Sequence, residues 1–249
     1  MYLNAGGENL FAVLQRPIEA PRQAYLLCPP MLHEHPRSHR LFALLAQSLA
    51  THGIASLRFD YAGSGDSSGD SQSLDLDSAD TDAEFALAHL RQLLPDIPVT
   101  IMGIRAGALI AAPLARLQQL PLVLWQPVHS GAQWLQVLQR RDSEERRSTR
   151  RFPFQRSGTQ RPVAAGSLMG FRLGPTFSAS IYPRTLAELP ADCIVLDRSV
   201  PEPIEPVRNI PLPAALADWA DQIDISAPFP AQAIAEIAAT LAQAGRSAS

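Results

Sequence analysis

Apolar and polar residues alternate along the chain in blocks that predict strands and helices in turn. Largely apolar runs predict strands over Leu10–Gln15, Ala24–Cys28, Ile54–Phe59, Leu122–Trp125 and Cys193–Leu196, and the last strand is predicted at Ile223–Ser226. Apolar positions at helical spacing predict helices over 41–49, 80–94, 108–119 and 231–244, the second capped by Asp80. Such alternation is typical of a mostly parallel sheet covered by helices, which binds ligands at the carboxyl ends of its strands.

The alternation lapses between Gly131 and Pro190. A helix near Trp134 is followed there by an arginine-dense segment, Arg140–Arg161, in which acidic residues are interspersed. This mixture of charges favours a mobile cap over a phosphate-binding patch. We therefore predict a single domain over 1–249, with a core formed by 1–130 and 191–249 and a cap or lid at 131–190.

The segment Pro98–Ile110 combines a short strand, a tight turn and an alanine-rich helix. The turn has glycines at Gly103 and Gly107, which is the frame of a nucleophile elbow, Gly-x-Ser-x-Gly. The third position, where the nucleophilic serine stands in that pattern, is Arg105. The architecture of a hydrolase is thus predicted without its nucleophile.

Three motifs carry a resemblance to a known group of proteins: Arg37–Phe42, Leu57–Ser67 and Gly103–Leu109. Through them the chain resembles the α/β-hydrolase superfamily. More narrowly, it is similar to predicted hydrolases of bacterial exosortase and exopolysaccharide loci, one branch of which has arginine at the elbow. The resemblance implies an α/β-hydrolase fold, with a mostly parallel eight-stranded sheet flanked by helices and a cap after the sixth strand.

The catalytic triad of this fold is incomplete. It needs a nucleophile, an acid and a histidine, in that order along the chain. The acid has candidates in Asp197 and Glu202, but the last histidine of the chain is His129, far before the expected position. The oxyanion hole is also affected, because Pro29 and Pro30 have no N–H to donate. The backbone N–H groups of Met31 and Ala106 are its remaining donors.

Other residues offer weaker routes to catalysis. Gly65–Gly69 matches Gly-x-Ser-x-Gly, but a loop serine is the simpler interpretation of Ser67 and Ser68. Cys28 lies inside a predicted strand. His33, Glu34 and His35 are close enough in sequence for acid–base or metal chemistry. However, histidines at i and i+2 without a third ligand are weak evidence for a metal.

We therefore predict no metal and no cofactor. His33, His35 and Arg37 are expected at the mouth of the pocket, with His39 facing solvent at the start of a helix.

Arg105 admits two interpretations. A cation at a helix N-terminus is unfavourable unless an anion compensates it. Either Asp60 or Asp66 forms an internal ion pair with Arg105, which we slightly favour, or the guanidinium binds an anionic ligand. Arg105, Ala106, Met31 and Asp60 are accordingly the predicted elbow and pocket residues.

Charge and hydropathy narrow the classes of partner. A net charge of -3 provides no drive toward nucleic acid. Met1–Leu14 lacks the features of a secretion signal, and no apolar run approaches the length of a membrane span. We expect a cytoplasmic protein.

Three functions remain open. The first is a non-catalytic binding or accessory protein for an anionic small molecule, linked through the resemblance to exopolysaccharide assembly. The second is a hydrolase or acyltransferase with an unconventional nucleophile. The third is a structural protein that engages a protein partner. The loss of two triad members favours the first and the third.

Overall fold

A computed structural model describes residues 1–5, 7–148, 154, 166–190, 192–198, 207–220 and 228–247. Within these residues the strands are β1 (Tyr2–Ala5), β2 (Glu8–Gln15), β3 (Gln23–Cys28), β4 (Ile54–Phe59), β5 (Val99–Ile104), β6 (Leu122–Trp125), β7 (Ser167–Leu168), β8 (Phe171–Arg172), β9 (Ile194–Asp197) and β10 (Arg208–Pro211). The helices are α1 (Glu34–Thr51), α2 (Leu76–Leu93), α3 (Ala108–Gln118), α4 (Gly131–Arg147), α5 (Pro175–Ile181), α6 (Ala214–Ala217) and α7 (Ala231–Ser247). A 3₁₀ turn, Arg105–Gly107, joins β5 to α3.

Eight of these strands form one sheet in the order β1-β2-β4-β3-β5-β6-β9-β10. β2 is antiparallel to both of its neighbours, and every pair from β4 to β10 is parallel. The carboxyl ends of β4, β3, β5 and β6 therefore lie side by side at one edge. The expected mostly parallel eight-stranded sheet is confirmed.

Helices cover both faces of the sheet. α2 and α3 pack together on one face, and α1 and α7 pack together on the other. Strand β3 shows the result, because Leu26 belongs to the first core cluster while Tyr25 and Leu27 belong to the second. All three residues are at most 1% exposed. Burial on both faces explains why the central strands β3, β5 and β6 are largely apolar.

Helix α2 begins earlier than predicted. Its N-cap is Asp75, whose side chain accepts a hydrogen bond from the Ser78 N–H at 2.8 Å, while the Ser78 hydroxyl accepts one from the Asp75 N–H. This reciprocal cap starts the helix at Leu76. Asp80, the predicted cap, instead forms an ion pair with Arg184 at 2.8 Å.

The last strand of the described sheet is β10, which the sequence did not predict. Its four residues, Arg208–Pro211, pair with β9. They include only one apolar side chain apart from proline, so an apolar-run criterion misses them. The predicted strand Ile223–Ser226 lies outside the described residues.

The segment predicted as a cap contributes α4, the β7–β8 hairpin and α5. Trp134 of α4 and Phe177 of α5 are within 6.5 Å of each other, measured between ring centroids. Both are buried in the core cluster that includes α2. Much of Arg140–Arg161 lies outside the described residues, and the division into core and cap stays a prediction. Among the described helices, none has the length and hydropathy needed to cross a bilayer.

Candidate functional site

The elbow has the predicted geometry. β5 ends at Ile104, and Arg105 follows with φ +52°, in the left-handed region that side-chain-bearing residues rarely adopt. A Cβ on Gly103 would lie 2.6 Å from the Ala111 Cβ. A Cβ on Gly107 would lie 2.4 Å from the carbonyl oxygens of Cys28 and Pro29. Both glycines are thus required by close packing around the turn.

Arg105 binds two residues from neighbouring elements. Its Nε donates to Glu34 Oε1 at 3.0 Å, and its Nη1 donates to the Gln126 carbonyl at 3.2 Å. The side chain of Glu34 is only 3% exposed, whereas that of Arg105 is 27% exposed. Glu34 lies in the first turn of α1, and Arg105 precedes α3. The Glu34 carboxylate therefore lies near the positive N-terminal ends of α1 and α3. Its negative charge compensates the cation at the elbow.

The predicted pairing of Arg105 with Asp60 or Asp66 is wrong. The Asp60 Oδ1 lies 2.9 Å from the His35 Nε2, and its Oδ2 accepts the Asp66 N–H at 3.0 Å. Asp60 is thus engaged by α1 and by its own loop. Burial raises the pKa of Asp60, but the hydrogen bond and charge of His35 and the Asp66 N–H outweigh it and hold the pKa below its usual value.

His33 is a buried histidine without a hydrogen-bond partner among the described residues. It is 8% exposed, and neither ring nitrogen is bonded. Burial lowers its pKa to about 4, and the positive charges of Arg141, Arg37 and Arg105 act in the same direction against the opposing charge of Glu145. His33 is therefore neutral at pH 7 and lies in the positive field of three arginines.

Arg37 lies on α1 at the same end of the sheet. Its Nη1 donates to the Ala220 carbonyl at 2.7 Å, so the side chain ties α1 to the segment that follows α6. Part of its function is therefore structural.

The remaining oxyanion donors are enclosed. Met31 is 1% exposed and Ala106 is fully buried. The elbow thus presents arginine, in place of the serine of the pattern, beside two buried residues that carry the remaining donors.

The alternative nucleophiles are engaged or buried. The Ser67 hydroxyl donates to the Asp60 carbonyl and accepts the Phe11 N–H, and the Ser68 hydroxyl accepts the Asn9 N–H and donates to Glu8. Both serines therefore fasten the loop after β4 to β2. Cys28 is fully buried, and desolvation raises its pKa to about 12, so it stays an unreactive thiol.

His35, His39 and Asp60 form a second group of polar side chains beside the elbow. The two Nε2 atoms are 3.3 Å apart, and the Asp60 Oδ1 lies 2.9 Å from that of His35 and 4.0 Å from that of His39. His39 is exposed, as predicted, but its ring also packs against His35. The sequence did not predict this group because α1 begins at Glu34, within the stretch interpreted as a loop.

The two residues that bind the Arg105 side chain, Glu34 and Gln126, were not assigned to the elbow from the sequence. Gln126 follows β6, the neighbour of β5, so strand order would have placed it beside Arg105. Glu34 gave a weaker signal, since a loop residue has no predictable direction. Its position depends on the start of α1.

Comparisons with known proteins agree with this architecture. Residues 22–141 match the family described as serine aminopeptidase, S33. Est1E of Butyrivibrio proteoclasticus, solved with ferulic acid bound, aligns with a TM-score of 0.59 and 16% identity, over 96% of this chain and 98% of its own. A Xanthomonas campestris protein described as an α/β serine hydrolase without a lid has a TM-score of 0.58 and 14% identity, with coverages of 99% and 92%.

The chain has an α/β-hydrolase fold. A hydrolase-like protein of Agrobacterium vitis, described as a putative hydrolase, supports the same conclusion, with a TM-score of 0.57, 15% identity and coverages of 98% and 97%. No curated protein matches the sequence. At identities this low, the structural similarity establishes only the α/β-hydrolase fold. The chemistry has to be inferred from the residues of the site.

Proposed function

We propose that this protein binds an anionic small molecule at the elbow of its α/β-hydrolase fold and does not hydrolyse esters. The observation that carries the proposal is the position of Arg105. It occupies the third position of the elbow, and its Nη2 has no hydrogen-bond partner within the described part of the chain. A guanidinium with unused N–H groups at a helix N-terminus suits a carboxylate or a phosphate.

The surroundings support an anion. Arg37, Arg105 and Arg141 all act electrostatically on His33, and their combined charge exceeds that of the nearby Glu34 and Glu145. A bound anion would lower the free energy of this positive cluster. The ion pair with Glu34 uses only the Nε–H of Arg105, which leaves the Nη2 N–H groups for a ligand.

Catalysis by acyl transfer has no support in this geometry. An activated nucleophile needs a base within hydrogen-bond reach, and His35 Nε2 is already directed to Asp60. His33, with a pKa of about 4, is a weak proton acceptor. No described feature favours the unconventional hydrolase. The links to exopolysaccharide and exosortase systems, to a protein partner and to the cytoplasm remain predictions from the sequence.

Anion binding is tested by thermal unfolding with added phosphate or acetate, at constant ionic strength set with chloride. We expect the melting temperature of the wild type to rise with anion concentration, as mass action requires. Arg105→Ala should abolish the rise, and Arg105→Lys should weaken it because the fork of donors is lost. The matched control is Arg116→Ala, which removes an exposed arginine elsewhere and should retain the rise.

Hydrolysis is tested in parallel with a fluorophosphonate probe and activated esters. We expect neither labelling nor turnover. Stoichiometric labelling of one serine, lost when that serine is mutated, would contradict the proposal. So would an anion response that is equal in the wild type and in Arg105→Ala.

A further inference from the structure

His35 and His39 are separated by one helical turn. They lie at i and i+4 in α1, so their rings project from the same face. Paired histidines at this spacing are a recurrent arrangement for binding zinc on a helix. Asp60 comes from a different element, the carboxyl end of β4, and reaches the same point.

The distance between the two imidazole nitrogens suits a metal ion. A tetrahedral zinc ion holds two imidazole nitrogens about 3.3–3.4 Å apart, given bond lengths of about 2.0–2.1 Å. The two Nε2 atoms are 3.3 Å apart. The three candidate ligand atoms all lie within 4.8 Å of one another. The longest separation, 4.0 Å between Asp60 Oδ1 and His39 Nε2, involves the side chain with the most freedom to move, since that of His39 is 47% exposed.

The two imidazoles are in an arrangement that protons satisfy poorly. The His35 Nε2 lies within hydrogen-bond distance of both the Asp60 Oδ1 and the His39 Nε2. If neutral His35 donates its single Nε2 proton to Asp60, that proton is not fully available to the His39 Nε2 as well. A cation at the shared point would accept a lone pair from each nitrogen and from the carboxylate.

Neighbouring residues fix the positions of Asp60 and His35. The second carboxylate oxygen of Asp60 accepts the Asp66 N–H at 3.0 Å, which fixes the orientation of the first. A Cβ on Gly65 would lie 2.2 Å from Asp60 Oδ2 and 2.8 Å from His35 Cε1, so only glycine permits this approach. The Ser38 hydroxyl donates to the His35 carbonyl at 2.6 Å.

A cavity of about 50 Å³ adjoins the group and is lined by all three side chains. This volume holds one or more water molecules, which could complete the coordination of a metal with three protein ligands. Arg58 lines the same cavity and opposes a bound cation, whereas Asp60 and the nearby Asp66 favour one. The exposed ring of His39 gives an ion access from solvent.

We propose that His35, His39 and Asp60 form a binding site for a divalent transition metal, zinc first, with water in the remaining position. Two imidazoles and one carboxylate are the ligand set for such ions, whereas magnesium and calcium prefer oxygen alone. The proposal is independent of anion binding at Arg105.

Zinc binding to tag-free, chelator-treated protein, followed by calorimetry, tests the site. The wild type should bind one equivalent, and cobalt should give a visible absorption band typical of low coordination number. His39→Ala, an exposed substitution that leaves the core intact, should weaken affinity at least about 100-fold, since loss of an outer-shell residue alone costs about 10–100-fold. Asp60→Asn should weaken it as well.

The matched control is His129→Ala, which removes an exposed histidine outside the group and should leave the affinity unchanged. Absence of stoichiometric zinc binding to the wild type would overturn the proposal. Equal affinity of His39→Ala and the wild type would overturn it too, because zinc would then be bound elsewhere. Circular dichroism of each variant identifies any loss of affinity that is caused by unfolding.

Discussion

Glu34 and Arg105 are 71 residues apart in sequence and form an ion pair of 3.0 Å at the elbow, with the carboxylate almost completely buried. Each charge offsets part of the desolvation of the other. The pair also explains how a cation is tolerated at the start of α3, since Glu34 supplies the compensating charge from α1.

Breaking this pair should destabilise the protein. Arg105→Ala leaves a buried carboxylate without its guanidinium and should lower the free energy of unfolding by about 2–3 kcal/mol. Glu34→Gln should cost less, about 1 kcal/mol, because Arg105 is partly exposed. The double variant should be milder than the sum of the two, as for any coupled pair. Urea denaturation measures all three.

The exposed pair Arg116–Glu188 is the control for that cycle. Its side chains are 62% and 82% exposed, so Arg116→Ala should change stability by no more than about 0.5 kcal/mol. If Arg105→Ala were equally mild, or if its effect simply added to that of Glu34→Gln, the buried pair would not contribute as we infer.

A serine introduced at the elbow should not produce hydrolysis. Arg105→Ser supplies a hydroxyl at the elbow, but the described residues place no hydrogen-bonded base beside it. Turnover of activated esters should stay at background, with folding checked by circular dichroism. Turnover clearly above background would reveal a base, and its loss in Arg105→Ser/His33→Gln would identify that base as His33.

His33 should make stability depend on pH. Its folded pKa of about 4 lies below the ordinary value of 6.5, so between these pH values the unfolded chain binds more protons. The contribution of neutral His33 to the free energy of unfolding is therefore complete above pH 6.5. As the pH falls toward 4, this free energy decreases by up to about 3 kcal/mol. Unfolding free energies measured from pH 7.5 to 4 should fall less steeply for His33→Gln than for the wild type. His129→Gln, at an exposed site, should follow the wild type, and parallel curves for all three proteins would contradict the assignment.

Gly107→Ala tests the close packing of the elbow. Gly107 has an ordinary φ of -61°, so an added methyl group causes no backbone strain but collides with the carbonyls of Cys28 and Pro29. We expect a loss of about 3 kcal/mol in unfolding free energy. Gly170→Ala is the complementary control, because Gly170 has φ +88° and open space around it. It should cost only the strain of that conformation, about 1–2 kcal/mol, and a smaller loss in Gly107→Ala than in Gly170→Ala would argue against tight packing at the turn.

The sheet could be predicted from sequence because its parallel strands are buried on both faces. Ala24–Cys28 is a continuous apolar run, Ile54–Phe59 is a largely apolar one, and both are strands. The elbow was predictable for a related reason, since its two glycines are fixed by backbone contacts. β10 was not, because an edge strand needs few apolar residues and this four-residue segment has one, Ile210, besides its proline.

The partners of the site were harder to predict. A carboxylate was expected to compensate Arg105, and one does, but its identity depends on where α1 begins. Because α1 starts at Glu34, the first helical turn directs the Glu34 side chain toward the elbow and the His35 side chain toward Asp60. A shift of that boundary by a few residues changes both directions, and boundaries are the least predictable part of a helix.

Gln126 shows what the elbow arginine does for the sheet. Its N–H donates to the Leu196 carbonyl, its side-chain amide donates to the Ala217 carbonyl, and its own carbonyl accepts Arg105 Nη1. Arg105 is thereby a brace between the ends of β5 and β6, connected onward to β9 and α6. A serine at the same Cα is too short to span that gap, so a hydroxyl placed at the elbow would remove a cross-link at the edge of the sheet.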